Sequence, residues 1–330
     1  MRGFLATLAQ ESAAPPAIAV IQQTPGDRAA RLRRGPFEVQ IRGKHGGEVV
    51  DRAVEVHTVT RALVADEAWP QVLELAADPR LRFVVSNVTE AGYDLADDTL
   101  SAPRCFVSRL AAALNIRMEQ RQPGLTIVPM ELVEDNAKVL RAALRARCSA
   151  ALNDWIDERC RFASTLVDRI VTLRDELVCA EPYALWAIEG DDDLLRPFDH
   201  PAVRVVDDLA PFALRKIRIL NGLHTAMVAR FLPRGYETVR EVVTDPAARG
   251  WLQSMLQDEI LPVLEGRAED PAGFAREVFE RFENPFVEHR LRDIAAGHPQ
   301  KLRARLAPTA EEYFRTYNRP AAKLNSLLED

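Results

Sequence analysis

Cysteine is scarce in this chain and never paired. Four occur in 330 residues, Cys105, Cys148, Cys160 and Cys179, and no two stand at C-x-x-C spacing. That spacing argues against a disulfide framework and a zinc site, and fits buried thiols in a reducing compartment. Long apolar runs are also missing. No stretch of about 18 apolar residues occurs, so no membrane span is expected. Met1 to Gln10 lacks the apolar core and cleavage site of a signal peptide, which makes the cytoplasm the expected location. Basic charge is not in excess. With 43 Lys and Arg against 49 Asp and Glu, the net charge is −6, and no basic face suggests a nucleic-acid partner. The cluster Arg31-Leu32-Arg33-Arg34 reads as a solvated helix end. Phosphate-binding glycine loops are absent too. No G-x-G-x-x-G occurs, and Gly43-Lys44-His45-Gly46-Gly47 lacks Walker spacing and reads as a hairpin turn. Asp191-Asp192-Asp193 follows Gly190 as a solvated loop, so no metal is expected. There are no internal repeats and no low-complexity segments.

What is present is an ordinary globular composition, 47% apolar and 28% charged, in a chain long enough for two cores. The first half alternates short apolar runs with helical stretches. Strands are expected at Ile18–Ile21, Phe37–Ile41, Phe83–Val85, Leu125–Val128 and Val203–Val206, with a helix over Cys105–Glu119. Alternation of this kind implies βαβ units, a mostly parallel sheet and an α/β fold of the Rossmann type. Ligands of such sheets lie beyond the carboxyl ends of the strands, where Asn87, Thr89 and Asn136 fall. Asp27 follows the first strand. An acid there can accept ribose hydroxyls and favour NAD, and the same residue also fits a turn with a helix cap. From Pro211 onward the pattern is helical. Helices are expected over Phe212–Arg230, Ala247–Leu264, Pro271–Phe282 and Pro285–Ala296, the last two capped by Asp270 and Asn284 ahead of a proline. The expected division is a sheet domain at 1–208 and an all-helical domain at 209–330.

Within the helical half, Lys216-Ile217-Arg218-Ile219-Leu220-Asn221-Gly222-Leu223-His224 sets a lysine, an asparagine and a histidine at i, i+5 and i+8. At about 100° per residue these point near 0°, 140° and 80° around a helix. One arc can then offer an ammonium, an amide and an imidazole to one pocket. Reducing a carbonyl without a metal needs such groups: a proton donor, a second donor to the oxygen, and a group that holds the substrate. The same spacing fits a helix whose lysine lies along the surface and whose histidine is satisfied in the core.

Five ordered segments carry a family resemblance. They are Val85-Ser86-Asn87-Val88-Thr89-Glu90-Ala91-Gly92, Pro129-Met130-Glu131-Leu132-Val133-Glu134-Asp135-Asn136, Ser164-Thr165-Leu166-Val167-Asp168-Arg169-Ile170-Val171, the Lys216-x4-Asn221-x2-His224 signature, and Arg281-Phe282-Glu283-Asn284-Pro285. Together they resemble the mannitol dehydrogenase family of polyol-specific long-chain dehydrogenases and reductases. The wording Leu220-Asn221-Gly222-Leu223-His224-Thr225 is most similar to its hexuronate branch. The resemblance implies hydride exchange between NAD and a ketone of a sugar acid or sugar, with no metal. It implies Lys216 as general acid and base, Asn136 and Asn221 as donors to the developing alkoxide, and His224 as a holder of substrate oxygens. It places Asp168 on the cofactor side and Arg169 on the substrate side of a junction motif, where an ion pair fixing a loop is an equal alternative. His289 and Lys301 stand where the uronate branch has a histidine and a lysine suited to a substrate carboxylate, and they also fit a charged helix surface. Glu181-Pro182-Tyr183-Ala184-Leu185-Trp186 resembles a further family segment in which Trp186 reads as core. Other branches, acting on fructuronate, mannitol or mannitol 1-phosphate, are the nearest alternatives.

The chain departs from the family at its start, where Met1-Arg2-Gly3-Phe4-Leu5 matches only the end of the opening strand and glycine turn. The resemblance implies a gap in the middle of the sheet and weak NAD binding. Pro308–Asp330 resembles the family up to a point where further helices are expected. A non-catalytic fragment surviving as a binding or assembly module is the alternative of a different class.

Overall fold

The computed structural model describes residues 2–89, 92–93, 98–174 and 177–329. Met1, Glu90 and Ala91, which belong to the motifs quoted above, lie outside the described residues. The twelve strands among these are β1 (Ile18–Gln22), β2 (Phe37–His45), β3 (Glu48–Val56), β4 (Val59–Val64), β5 (Phe83–Ser86), β6 (Thr126–Pro129), β7 (Arg161–Phe162), β8 (Thr165–Asp168), β9 (Val171–Arg174), β10 (Leu177–Ala180), β11 (Leu185–Glu189) and β12 (Val203–Val206). The chain divides into two compact units. Unit 1 comprises 1–39, 53–178 and 184–209, and unit 2 comprises 40–52, 179–183 and 210–330.

Unit 1 holds the α/β part. β1 and β4 pair in parallel, and β5, β6 and β7 form a second parallel sheet. Among the described residues β1 and β5 each carry a strand on one side only. β11 pairs in parallel with β12 and antiparallel with β8. β4 was not foreseen, because Val59-Thr60-Arg61-Ala62-Leu63-Val64 is broken by polar residues. Its parallel register against Ile18–Gln22 buries Ala62 and Val64 and leaves Thr60 and Arg61 outside. The helix Phe106–Glu119 lies over the second sheet. Phe106, Leu110 and Leu114 pack with Ile127 of β6 and with Leu140 and Leu144 of the helix Asn136–Arg145. A second cluster joins Val128 and Met130 to Phe4, Leu8, Trp186 and Ile188. Trp186 is fully buried there, between Phe4 and Phe198. The fully buried Arg117 donates to the carbonyls of Ala76, Asp78, Leu81 and Pro123. A cation is favourable at that spot because Ala76 lies in the last turn of the helix Trp69–Ala77, whose last carbonyls carry partial negative charge.

Unit 2 is helical, with one continuous core running from Ile219 to Leu327. It also takes two short pieces that precede residue 210, 40–52 and 179–183. The tip of the β2–β3 hairpin turns at Gly46 and Gly47, whose positive φ values of 60° and 84° suit a two-residue turn. Their N–H groups donate to Glu280, and Lys44 pairs with Glu283. Gly43 is required by close approach, since a Cβ there would stand 2.6 Å from Pro182 and 3.0 Å from the Asn284 amide. Glu181 supplies the other anchor. Both its oxygens accept from Arg281, at 3.0 and 2.8 Å, with both side chains 2% exposed, and Arg281 stacks 4.3 Å from the Tyr183 ring. These bonds attach 40–52 and 179–183 to the helix Pro271–Phe282, which a division read from chain order does not anticipate.

Two helices differ from expectation. Asn284 does not cap a helix at Pro285. Its side chain accepts from Phe286 N and donates to Arg42 O, holding a turn, and only Leu291–Ile294 is helical nearby. The helix expected over Phe212–Arg230 is interrupted by a π-helical turn at Lys216–Asn221, between α-helical Ala210–Arg215 and Gly222–Phe231. A second such turn, Leu256–Ile260, interrupts the helix expected over Ala247–Leu264. It presents buried Glu259, whose carboxylate accepts from the N–H groups of Lys323 and Leu324 at 2.8 Å and caps the last helix, Ala322–Leu328.

Candidate active site

In unit 1 Asp27, Asn87 and Thr89, and Asn136 follow the carboxyl ends of the parallel-paired strands β1, β5 and β6 along the chain. Gln22 ends β1 and shapes the loop behind it. Its amide donates to Thr24 O at 2.8 Å and to Gly26 O, and its oxygen accepts from Ala29 N at 2.8 Å. Asp27 is exposed on that loop and forms an ion pair with Arg33. Arg109, 4% exposed, donates to Gln23 O and Oε1 and pairs with Asp66, so it joins the loops that follow β1 and β4 to the helix that follows β5. Asn87 and Thr89 are exposed just after β5.

Between β5, β6 and β8 two buried side chains act as joints. Glu131 accepts from Ser86 Oγ and Val88 N, both at 3.1 Å. Asn136, 1% exposed, donates to Glu131 O and Thr165 O and accepts from Thr165 N, each at 3.0 Å. Both amide hydrogens of Asn136 are therefore committed to backbone carbonyls, and in this arrangement neither is available as the alkoxide donor the motif implies. Asp168 is buried at the end of β8, and Arg169 Nη1 donates to Thr7 Oγ1 at 2.9 Å.

In unit 2 the π turn changes the angular relation read from the sequence. Its hydrogen bonds span five residues, so residues i and i+5 fall on successive turns of one face. At about 4.4 residues per turn Lys216 and Asn221 thus come to about 50° apart, where an α-helix would put them about 140° apart. Both are half-buried, and Thr225 Oγ1 donates to Asn221 O at 2.8 Å. His224 follows on the α-helical stretch, 7% exposed, with its Nε2 buried and without a hydrogen-bond partner. Its ring lies 4.6 Å from both Phe282 and His289. Burial, and then the neighbouring charges of His289, Arg281, Arg305 and Lys301, hold its pKa well below 6.5, so it is neutral at pH 7.

His289 is pinned by its backbone, as Val239 N donates to His289 O and Leu291 N to Glu237 O. Its pKa is lowered mainly by burial, against the opposing charge of Asp293. Lys301 donates to Ile294 O at 2.7 Å, and its pKa is lowered by burial and by Arg305. The structure therefore gathers His224, His289 and Lys301 into one neighbourhood. Sequence reading missed Arg305 there, and Arg109 and Glu131 in unit 1. Glu131 lies inside a quoted motif, while nothing in the spacing of the two arginines separates them from surface residues.

Comparison with known proteins identifies the family. Residues 2–195 match the mannitol dehydrogenase Rossmann domain, and residues 208–324 match the mannitol dehydrogenase C-terminal domain. The altronate oxidoreductase of Halalkalibacterium halodurans is 36% identical over 90% of this chain and 64% of its own length. That of Bacillus subtilis is 32% identical over 90% of this chain and 68% of its own length. This chain thus spans about two thirds of the relatives it matches. Among solved structures, a D-sorbitol dehydrogenase superposes with a TM-score of 0.81 at 21% identity, covering 94% of this chain and 73% of its own. Mannitol 2-dehydrogenase of Pseudomonas fluorescens gives 0.71 at 21% identity, covering 94% and 71%. With both domain models matched in order, the chain belongs to the mannitol dehydrogenase family.

Proposed function

We propose that the chain catalyses reversible hydride transfer between NAD and a hexuronate, reducing tagaturonate to altronate. The observation that carries this reading is the π turn that aligns Lys216 with Asn221 one residue ahead of Gly222, beside a neutral, unpartnered His224. The name shared by the relatives from Halalkalibacterium halodurans and Bacillus subtilis supports the substrate.

The chemistry follows from these groups. Lys216 donates a proton to the carbonyl oxygen as the C=O π pair moves onto it, and takes that proton back in the oxidative direction. Asn221 donates to the same oxygen and stabilises its growing charge. Neutral His224 can accept from, or donate to, a neighbouring substrate hydroxyl without adding a charge. His289 and Lys301 supply the polar and cationic side suited to a carboxylate. The nicotinamide, when bound, supplies the hydride. Asp27 fits the ribose hydroxyls, Asn87 and Thr89 fit the cofactor side of the strand ends, and buried Asp168 holds that region. Asn136 keeps β8 against the start of its own helix.

The test is NADH-dependent reduction at high NADH, with tagaturonate, fructuronate and fructose compared by kcat/KM. Highest kcat/KM for tagaturonate supports the reading. Preference for fructose moves the chain to a polyol branch, and no turnover of any of the three rejects the reading.

A further inference from the structure

We propose that Arg305 is a specificity-determining residue that joins Lys301 in taking the substrate carboxylate beside His224. The proposal rests on the hexuronate reading above and adds a residue that the family motifs did not point to.

The helix His298–Arg305 carries Lys301 and Arg305 four residues apart, so both lie on one face, a turn from each other. Both charges act on the buried ring of His224. The groups that hold them are neutral: Lys301 donates to Ile294 O at 2.7 Å, and Arg305 Nη1 donates to Thr225 Oγ1 at 3.3 Å. Among the described residues neither makes an ion pair, and Arg305 keeps Nε and Nη2 without a partner. Burial lowers the pKa of both, so each resides where an unmatched cation is costly.

A second, independent feature stands beside them. His224 Nε2 is buried without a partner, and the ring is neutral. Two partly desolvated cations next to an uncharged, unpartnered imidazole match a ligand with one negative end and an adjacent hydroxyl. A hexonate has that form, and a neutral polyol does not. The guanidinium fork suits two carboxylate oxygens, while the ammonium of Lys301 adds a point charge. The Thr225 contact marks where Arg305 lies, because Thr225 follows His224 directly and its hydroxyl is tied to Asn221 O. It is the charge of Arg305, not this neutral tie, that takes the carboxylate.

The test is calorimetric titration of the full chain with altronate and with altritol, its uncharged counterpart, in excess NAD. Wild type is expected to bind altronate at least about tenfold more tightly than altritol. Arg305→Gln should weaken altronate by about 10- to 100-fold and altritol by less than about threefold. Arg305→Lys should recover part of the loss. Thr225→Val removes the tie and keeps the charge, and should retain most altronate affinity. Equal losses for both ligands in Arg305→Gln, the same loss in Thr225→Val, or no altronate preference in wild type would each overturn the proposal. Turnover is read separately. Binding of altronate that depends on Arg305, without its oxidation, would reject the proposed reaction and leave the carboxylate site standing.

Discussion

Two asparagines that the motifs assign to the same task sit in different circumstances. Asn136 is enclosed in unit 1, with its amide oxygen and both its hydrogens spent on the backbone of Glu131 and Thr165. Asn221 closes a π turn in unit 2, half-buried, with Lys216 one turn away on the same face and its carbonyl taken by Thr225. The first arrangement fixes strand ends, and the second offers an amide beside a lysine. What separates the two is whether the side chain's donors are already used.

The largest effect expected is on Lys216. Lys216→Ala should lower kcat by roughly 10²- to 10⁴-fold, the usual worth of a positioned acid–base group, with little change in thermal stability. Asn221→Ala should lower kcat by about 10²-fold or more, again with little change in Tm. Asn136→Ala should do the opposite. It leaves two buried carbonyls and one buried N–H unpaired, each costing about 1–3 kcal/mol, so chemical denaturation should show a loss of several kcal/mol. Equal Tm losses in the two asparagine variants would break the contrast. Glu181→Gln tests how the two short pieces are held in unit 2. Removing the carboxylate charge that faces buried Arg281 should cost up to about 3–5 kcal/mol, measured by urea unfolding.

The smallest effect is on pH dependence. The folded-state pKa of His224 is depressed, so the unfolded chain binds a proton that the folded chain refuses. Stability from this group is full above 6.5 and falls as pH drops below that value. His289 and His298 are depressed too and act in the same direction. His224→Gln should flatten the decline below pH 6.5 by up to about 1.4 kcal/mol per pH unit. An unchanged slope would mean that His224 protonates freely in the folded protein.

Much of unit 1 was legible because buried parallel strands are short apolar runs. Ile18, Phe83 and Val203 begin strands where the sequence placed them, whereas β4 hid its apolar positions behind Thr60 and Arg61. The helical half was legible by period, but a hydrophobic period does not reveal an extra residue in a turn. Lys216 and Asn221 were therefore picked out as residues, and their alignment was not. Arg305 could not be picked out, because a basic residue on a helix surface and one that reaches a buried threonine look alike in sequence. The commitment of Asn136 to Thr165 depends on a contact 29 positions away along the chain, which a local motif does not encode.

The most direct test of the account is tagaturonate reduction by wild type and Lys216→Ala at high NADH, with added small primary amines. Turnover is expected in wild type, with a loss of at least about 100-fold in the variant with its fold intact, and partial recovery as the amine replaces the missing ammonium. A variant within a few-fold of wild type, or a loss that the amine does not touch while Asn221→Ala remains fully active, would contradict it.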